Sequence, residues 1–249
     1  MTRTGKSVLL LGATSDIGRA TALTYAQAGW DVQLAGRNLE AVQREADDIG
    51  TQSGATVSVH RLDILDSEQF EDFLAGLPAL PDTVVCAVGE LGEQPRAEKD
   101  VEHARIVMRT NFEGPALLLG LLAERFAARE SGAIVGISSV AGDRGRASNY
   151  VYGAAKAGFT AFLSGLRNRL ARAGVRVVTI KPGFVRTRMT AGMKLPGPLT
   201  AEPKEVAAAI FAAAEAKSRR DVIYVRGIWW PLMTVIRSIP EPIFKKLRL

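Results

Sequence analysis

A single-domain α/β fold, a doubly wound parallel sheet of seven strands with helices on both faces, is predicted by three observations. Short runs rich in Val, Ile and Leu recur along the chain, longer helix-like segments separate them, and a glycine turn joins the first run to the first helix. Runs that are apolar throughout, rather than alternating, suit strands buried on both faces. That is the environment of a parallel sheet.

The strands are read at 8–11, 32–35, 57–60, 83–86, 133–137, 175–180 and 222–225. Helices are expected over 17–28, 39–49, 67–74, 98–129, 152–171 and 203–217. Each helix returns the chain to the same edge, so a ligand crevice is expected at the carboxyl ends of the strands. With no repeat, low-complexity tract or linker, residues 1–226 read as one domain. The stretch 227–249 differs: Trp229 and Trp230 lead an apolar run to Ile236, and Lys245, Lys246 and Arg248 follow. It is too short to span a bilayer and is expected to pack on the domain or on a membrane surface.

Composition narrows the class. An apolar fraction of 47% with 23% charged residues is that of an ordinary globular chain. The single cysteine, Cys86, lies in an apolar strand run, which excludes a disulfide framework and suits a reducing compartment. The basic start runs into apolar residues that stop at Gly12, too soon for a secretory signal, and about 18 consecutive apolar residues occur nowhere. A cytoplasmic location is expected. The net charge of +6 is scattered without a nucleic-acid motif, so no nucleic-acid partner is expected, although anionic ligands and anionic lipid are favoured. His60 and His103 stand alone, so no metal site is expected.

The turn after the first strand reads Gly12-Ala13-Thr14-Ser15-Asp16-Ile17-Gly18. Glycine at 12 permits a tight turn and close approach of backbone to a pyrophosphate, and free amides at the helix start supply donors. Thr14, Ser15, Asp16 and Ile17 are therefore candidate phosphate neighbours, with Asp16 also a candidate helix N-cap. The second strand leads into Gly36-Arg37-Asn38. A carboxylate there would hold the ribose 2′-hydroxyl of NAD, whereas an arginine accommodates the 2′-phosphate of NADP. Arg37 favours NADP(H), with NAD(H) the alternative.

Ser139, Tyr152 and Lys156 carry the chemistry. Tyr152 and Lys156 are four apart on a predicted helix and so share one face. Ser139 follows the fifth strand, which brings all three to the same edge of the sheet. A tyrosine titrates near 10, and a neighbouring ammonium is expected to lower that value. Tyr152 can then pass a proton to a carbonyl oxygen or take it from an alcohol, with the Ser139 hydroxyl donating to the developing alkoxide.

The glycine turn, the serine and the Tyr152-Gly153-Ala154-Ala155-Lys156 run together resemble the short-chain dehydrogenase/reductase family, over residues 5 to about 225. Leu11 and Asp16 depart from the family's threonine and middle glycine. The resemblance implies a Rossmann fold, a nicotinamide cofactor and a homodimer or homotetramer formed through two long helices, with Ala154, Ala155, Ala157 and Gly158 allowing close approach. It implies an adenine contact for Asp63, backbone contacts for Ala87 and Gly89, a water-holding role for Asn111 and a ribose contact for Lys156. It further implies that Pro182, Val185 and Thr187 flank the nicotinamide. The Gly-, Pro- and Met-rich stretch 188–203 reads as a substrate lid.

Pro182-Gly183-Phe184-Val185-Arg186-Thr187-Arg188-Met189 and the ending Ile239-Pro240-Glu241-Pro242-Ile243-Phe244 are similar to members of that family that reduce a lipid-linked keto-sugar phosphate. This implies peripheral contact with the inner membrane face. The alternatives are a soluble reductase of a small sugar, steroid or acyl carbonyl, and a dinucleotide-binding scaffold without turnover.

Overall fold

The computed structural model describes residues 5–215 and 220–247; the basic start at 1–4, the predicted helix end at 216–217 and Arg248 lie outside them. The strands are β1 (Ser7–Leu11), β2 (Asp31–Gly36), β3 (Val57–Arg61), β4 (Thr83–Cys86), β5 (Gly132–Ile137), β6 (Val175–Lys181), β7 (Phe184–Val185), β8 (Thr200–Ala201) and β9 (Val222–Tyr224). Seven of them form one parallel sheet in the order β3-β2-β1-β4-β5-β6-β9. The order reverses between β1 and β4, which opens a crevice at their carboxyl ends. The sheet is the one the apolar runs predict.

Helices cover both faces: α1 (Asp16–Gln27), α2 (Leu39–Ser53), α3 (Phe70–Ala75), α4 (Gln94–Ala97), α5 (Val101–Met108), α6 (Gly114–Arg129), α7 (Tyr150–Leu170) and α8 (Pro203–Ala214). Alternation along β1 divides its side chains between two cores. Val8 and Leu10 pack with Tyr25 and Ile210 on the α1/α8 side, whereas Leu9 and Leu11 pack with Leu118 and Phe159 on the α6/α7 side. Each such buried leucine contributes about 1.5–3 kcal/mol. Helix starts are set by caps: Ser15 Oγ accepts from the Gly18 amide at 3.0 Å, and Asn38 Oδ1 accepts from Ala41 at 3.0 Å.

Two elements differ from expectation. The helix expected over 98–129 is broken into α5 and α6, with a π-turn at Arg109–Glu113 between them, and the short α4 precedes it. Pro115 has no amide to bond the carbonyl four residues earlier, that of Asn111, so a regular α-turn cannot close there. The lid stretch carries structure of its own, since β7 pairs with β8 and encloses the loop 186–199.

The chain ends in α9 (Trp229–Ser238) and α10 (Glu241–Phe244). Trp229 and Met233 are buried against Val140, Phe184, Leu199 and Tyr224. Among the described residues no helix is long and apolar enough to cross a membrane.

Candidate active site

The crevice above the switch between β1 and β4 is a cleft of about 690 Å³. Fourteen of the sixteen predicted site residues line it: Gly12, Thr14, Ser15, Asp16, Ile17, Arg37, Ala87, Gly89, Ser139, Tyr152, Lys156, Pro182, Val185 and Thr187. Asp63 and Asn111 do not.

Gly12 adopts φ 83°, and a Cβ there would stand 2.9 Å from the Val88 amide, so only glycine fits the turn. The Ser15 hydroxyl donates to the Gly12 carbonyl at 2.8 Å and caps α1. Asp16, expected as a possible cap, has another role. Its Oδ2 accepts from the Arg188 amide at 2.7 Å and its Oδ1 lies 3.3 Å from Arg188 Nε, while the Arg188 guanidinium also donates to the Thr14 carbonyl. Ser15, one residue earlier, already reaches the Gly18 amide, which leaves the Asp16 carboxylate for the lid.

At the rim Arg37 is exposed, and no carboxylate lies among Gly36, Arg37 and Asn38. Asp63 is exposed between Leu62 and Ile64, which are buried in the wall, and its Oδ1 accepts from the Leu65 amide at 3.0 Å. Asn111 is fully buried behind the wall. Its Nδ2 donates to the carbonyls of Glu90 at 2.6 Å and Val107 at 2.8 Å, and its Oδ1 accepts from the Glu90 amide at 3.2 Å. A Cβ on Gly89 would lie 3.0 Å from that oxygen and 3.4 Å from Lys156 Nζ, so Asn111 braces the wall beside the lysine.

Tyr152 and Lys156 sit one turn apart in α7, as their spacing predicts, with Lys156 Nζ 5.7 Å from the centre of the Tyr152 ring. Lys156 is buried and donates to the Ile137 carbonyl at 3.1 Å. Burial pushes its ammonium down to about 8, against a small opposing pull from Cys86. Burial pushes the Tyr152 phenol up to about 12, and the nearby Ser139 hydroxyl pulls it the other way. The phenol is therefore not lowered by the lysine as expected: burial raises it, and the group that opposes the rise is Ser139. At neutral pH the tyrosine is a protonated donor beside a charged lysine.

Ser139 ends β5's extension, and its Oγ accepts from the Ala141 amide at 3.1 Å. The loop that follows is fixed by a buried cluster. Asp143 Oδ1 accepts from Lys181 Nζ at 2.5 Å, and Asp143 Oδ2 accepts from the Tyr224 hydroxyl at 2.7 Å. Arg144 donates to the carbonyls of Arg237 at 2.8 Å and Ile239 at 2.9 Å, and its guanidinium lies 3.9 Å from the Phe244 ring centre. Trp229 packs on Gly183, where a Cβ would come 1.9 Å from the indole, and its Nε1 donates to the Leu199 carbonyl at 3.2 Å. The chain's last helices therefore hold the floor of the site.

Arg188 and Met189, from the stretch read as a lid, also line the cleft, as do Glu90, Ile106, Thr110 and Ser138, unforeseen from the sequence. Thr110 and Ser138 carried one available signal, as immediate neighbours of Asn111 and Ser139. A second cavity of about 250 Å³ meets the cleft at Tyr152 and is walled by the loop before α7, α4, Phe184 and Met193.

A bound adenine dinucleotide fits this arrangement. The turn that tolerates only glycine, the start of a long helix, the cationic rim and the Tyr152–Lys156 pair succeed one another along one cleft.

Residues 6–195 match the family described as short chain dehydrogenase. The chain is 36% identical over 243 residues to an uncharacterized oxidoreductase of Mycobacterium tuberculosis, covering 96% of each. It is 31% identical over 228 residues to the 3-oxoacyl-[acyl-carrier-protein] reductase of Chlamydia muridarum, covering 86% of this chain and 92% of that one. The crystal structure of a short chain dehydrogenase from Burkholderia cenocepacia shares the fold, with a TM-score of 0.84 over 100% of both chains at 22% identity.

Proposed function

The chain belongs to the short-chain dehydrogenase family, an NAD(P)-dependent oxidoreductase, and on that footing we propose that it reduces a carbonyl to a secondary alcohol with Tyr152 as proton donor. The observation that carries this is the placement of Tyr152 at the junction of the two cavities, with Lys156 Nζ 5.7 Å from the centre of its ring. A bound nicotinamide supplies the hydride. Tyr152 gives its proton to the carbonyl oxygen, Ser139 donates a hydrogen bond to the oxygen as charge develops, and the Lys156 ammonium steadies the phenolate that remains. Asn111 acts through the wall it braces, keeping Gly89 and Lys156 in register.

NADP(H) is the proposed cofactor, held by the Gly12–Ile17 turn, by Arg37 at the 2′-phosphate and by Val185 and Thr187 near the nicotinamide. The finer reading, supported by the motifs around Pro182 and Ile239, is a likeness to decaprenylphosphoryl-2-keto-ribose reductase and a lipid-linked keto-sugar substrate. Exposure of Trp230, Val235 and Ile243 beside Lys245 and Lys246 supports contact with an anionic membrane surface. The Chlamydia relative supports the second reading, a soluble acyl carbonyl.

Tyr152→Phe tests the proposal: it should lower kcat by about 10²- to 10⁴-fold while leaving the Kd for NADPH near its original value. Unchanged turnover would remove Tyr152 from the chemistry. In the same assay Arg37→Asp should move preference from NADPH to NADH, and equal use of both before and after would refute the 2′-phosphate role.

A further inference from the structure

The cavity that joins the cleft at Tyr152 holds an arginine without a counter-charge. Arg146 lies in the loop before α7 and lines this cavity. Its Nε is buried and has no hydrogen-bond partner, and no ion pair to its guanidinium occurs among the described residues. Burial lowers its pKa, with no opposing carboxylate raising it. Glu93 is the other charged residue on the wall and forms no ion pair with it. Three positions on, the Asn149 Oδ1 is also buried without a partner. The amide oxygen of Gln94, by contrast, is occupied by the Val151 amide at 3.1 Å.

An N–H or a carbonyl oxygen taken out of water without a partner carries a free-energy cost, and the half-buried Arg146, through its Nε, and Asn149, through its Oδ1, both carry it. Such groups are retained where an incoming molecule completes them. An anion satisfies the fork of an arginine best when its oxygens are two or more and coplanar or tetrahedral, as in a carboxylate or a phosphate. A hydroxyl satisfies the Asn149 oxygen. The remaining walls, Val151, Phe184 and Met193, are apolar and accept a short carbon skeleton.

We infer that Arg146 and Asn149 are specificity residues of the substrate pocket, and that the carbonyl substrate carries an anionic carboxylate or phosphate together with a hydroxyl. This rests on the reading of Tyr152 as proton donor only in placing the reacting carbonyl at the mouth of the cavity. Arg146 donates to the anion, the Asn149 Oδ1 accepts a hydrogen bond from the hydroxyl, and the pair orients the carbonyl carbon toward the cleft.

Two measurements on the NADP⁺-loaded enzyme test it. The first is a titration with acetate and with methyl phosphate, using acetamide as the neutral control, on the wild type, Arg146→Met and Arg146→Gln. At least one anion should bind the wild type about 10- to 100-fold more tightly than either variant, the span expected for a lost charge-assisted hydrogen bond. The anion that responds identifies the carboxylate or the phosphate. Equal binding to all three proteins, or no binding of either anion to the wild type, overturns the inference.

The second measurement compares NADPH oxidation with acetoacetate against its methyl ester, and with dihydroxyacetone phosphate against dihydroxyacetone. The anionic member of one pair should have the higher kcat/KM, and Arg146→Met should erase that advantage through KM with kcat for the neutral member unchanged. An advantage that survives in Arg146→Met, or neutral members that match or exceed the anionic ones in both pairs, overturns it. Tyr152→Phe run alongside separates the two ideas: turnover retained there defeats the proton-donor reading, whereas turnover lost there with anion selectivity untouched in Arg146→Met defeats only the role of Arg146.

Discussion

Lys156 loses its proton at about 8, well within the range where the phenol at about 12 stays protonated. The sign of the pH dependence follows. Below 8 the ammonium is present to steady the phenolate left after proton transfer, and above 8 that help fades although the donor remains. Reductive kcat is therefore expected to fall as pH rises, with an apparent pKa near 8. A profile that stays flat from neutral pH through the alkaline limb would contradict the role of Lys156. Ser139, Tyr152 and Lys156 were legible because their arrangement is local, set by one helical turn and one strand end. The exposure of Asp63 between two buried neighbours was not, because it depends on which neighbours bury. Arg146 was invisible for the same reason. An unpaired cation is a property of its surroundings, and a loop arginine read alone is a surface charge.

At the level of elements, the loop carrying Ser139 is held from below by β6, β9 and the last helices. Asp143 and Lys181 have side chains only 3% and 8% exposed, so this ion pair belongs to the interior. Asp143→Asn strands the Lys181 cation, and urea unfolding is expected to show a loss of about 3–5 kcal/mol. Replacing both partners together, Asp143→Asn with Lys181→Met, should recover part of it, and a single variant as stable as the wild type would show that the pair does not fix the loop. Helix and strand identities were legible from periodicity. The break in the helix over 98–129 was legible only in part: Pro115 marks it, but the π-turn that buries Asn111 depends on packing against the Gly89–Glu90 wall. The lid's short parallel pair had no periodic signature, since two residues per strand are too few to show one.

On the scale of the whole molecule, two cores on either side of one sheet leave the candidate site at a single edge; the strands and their parallel sheet were legible in the apolar runs, whereas their order was not, because it is set by packing between elements. The ending at 227–249 is divided. Trp229 and Met233 belong to the interior, while Trp230 is 63% and Val235 64% exposed. Removing the segment would uncover Val140 and Phe184, so point substitutions are the cleaner probe. The triple variant Trp230→Ser, Val235→Ser, Ile243→Ser should lose co-sedimentation with anionic liposomes and keep its turnover of soluble substrates. Equal sedimentation of variant and wild type would contradict membrane contact. The small residues expected to form an oligomer seam are partly used within the chain. Ala155 is buried and Gly158 faces Phe112, which leaves Val101, Met108 and Leu117 as exposed apolar residues for the proposed homodimer or homotetramer. Sedimentation of the protein alone should report two or four times the chain mass, and the mass of one chain would contradict it.

If Tyr152 is the proton donor proposed, proton and hydride movement are joined there, and a double isotope experiment examines that junction directly. With deuterium at the transferable position of NADPH, kcat/KM should fall in the wild type, and D₂O should slow it further. In Tyr152→Phe the residual turnover should keep the hydride effect while the solvent effect shrinks toward one. A solvent effect of the same size in Tyr152→Phe would mean that another group supplies the proton.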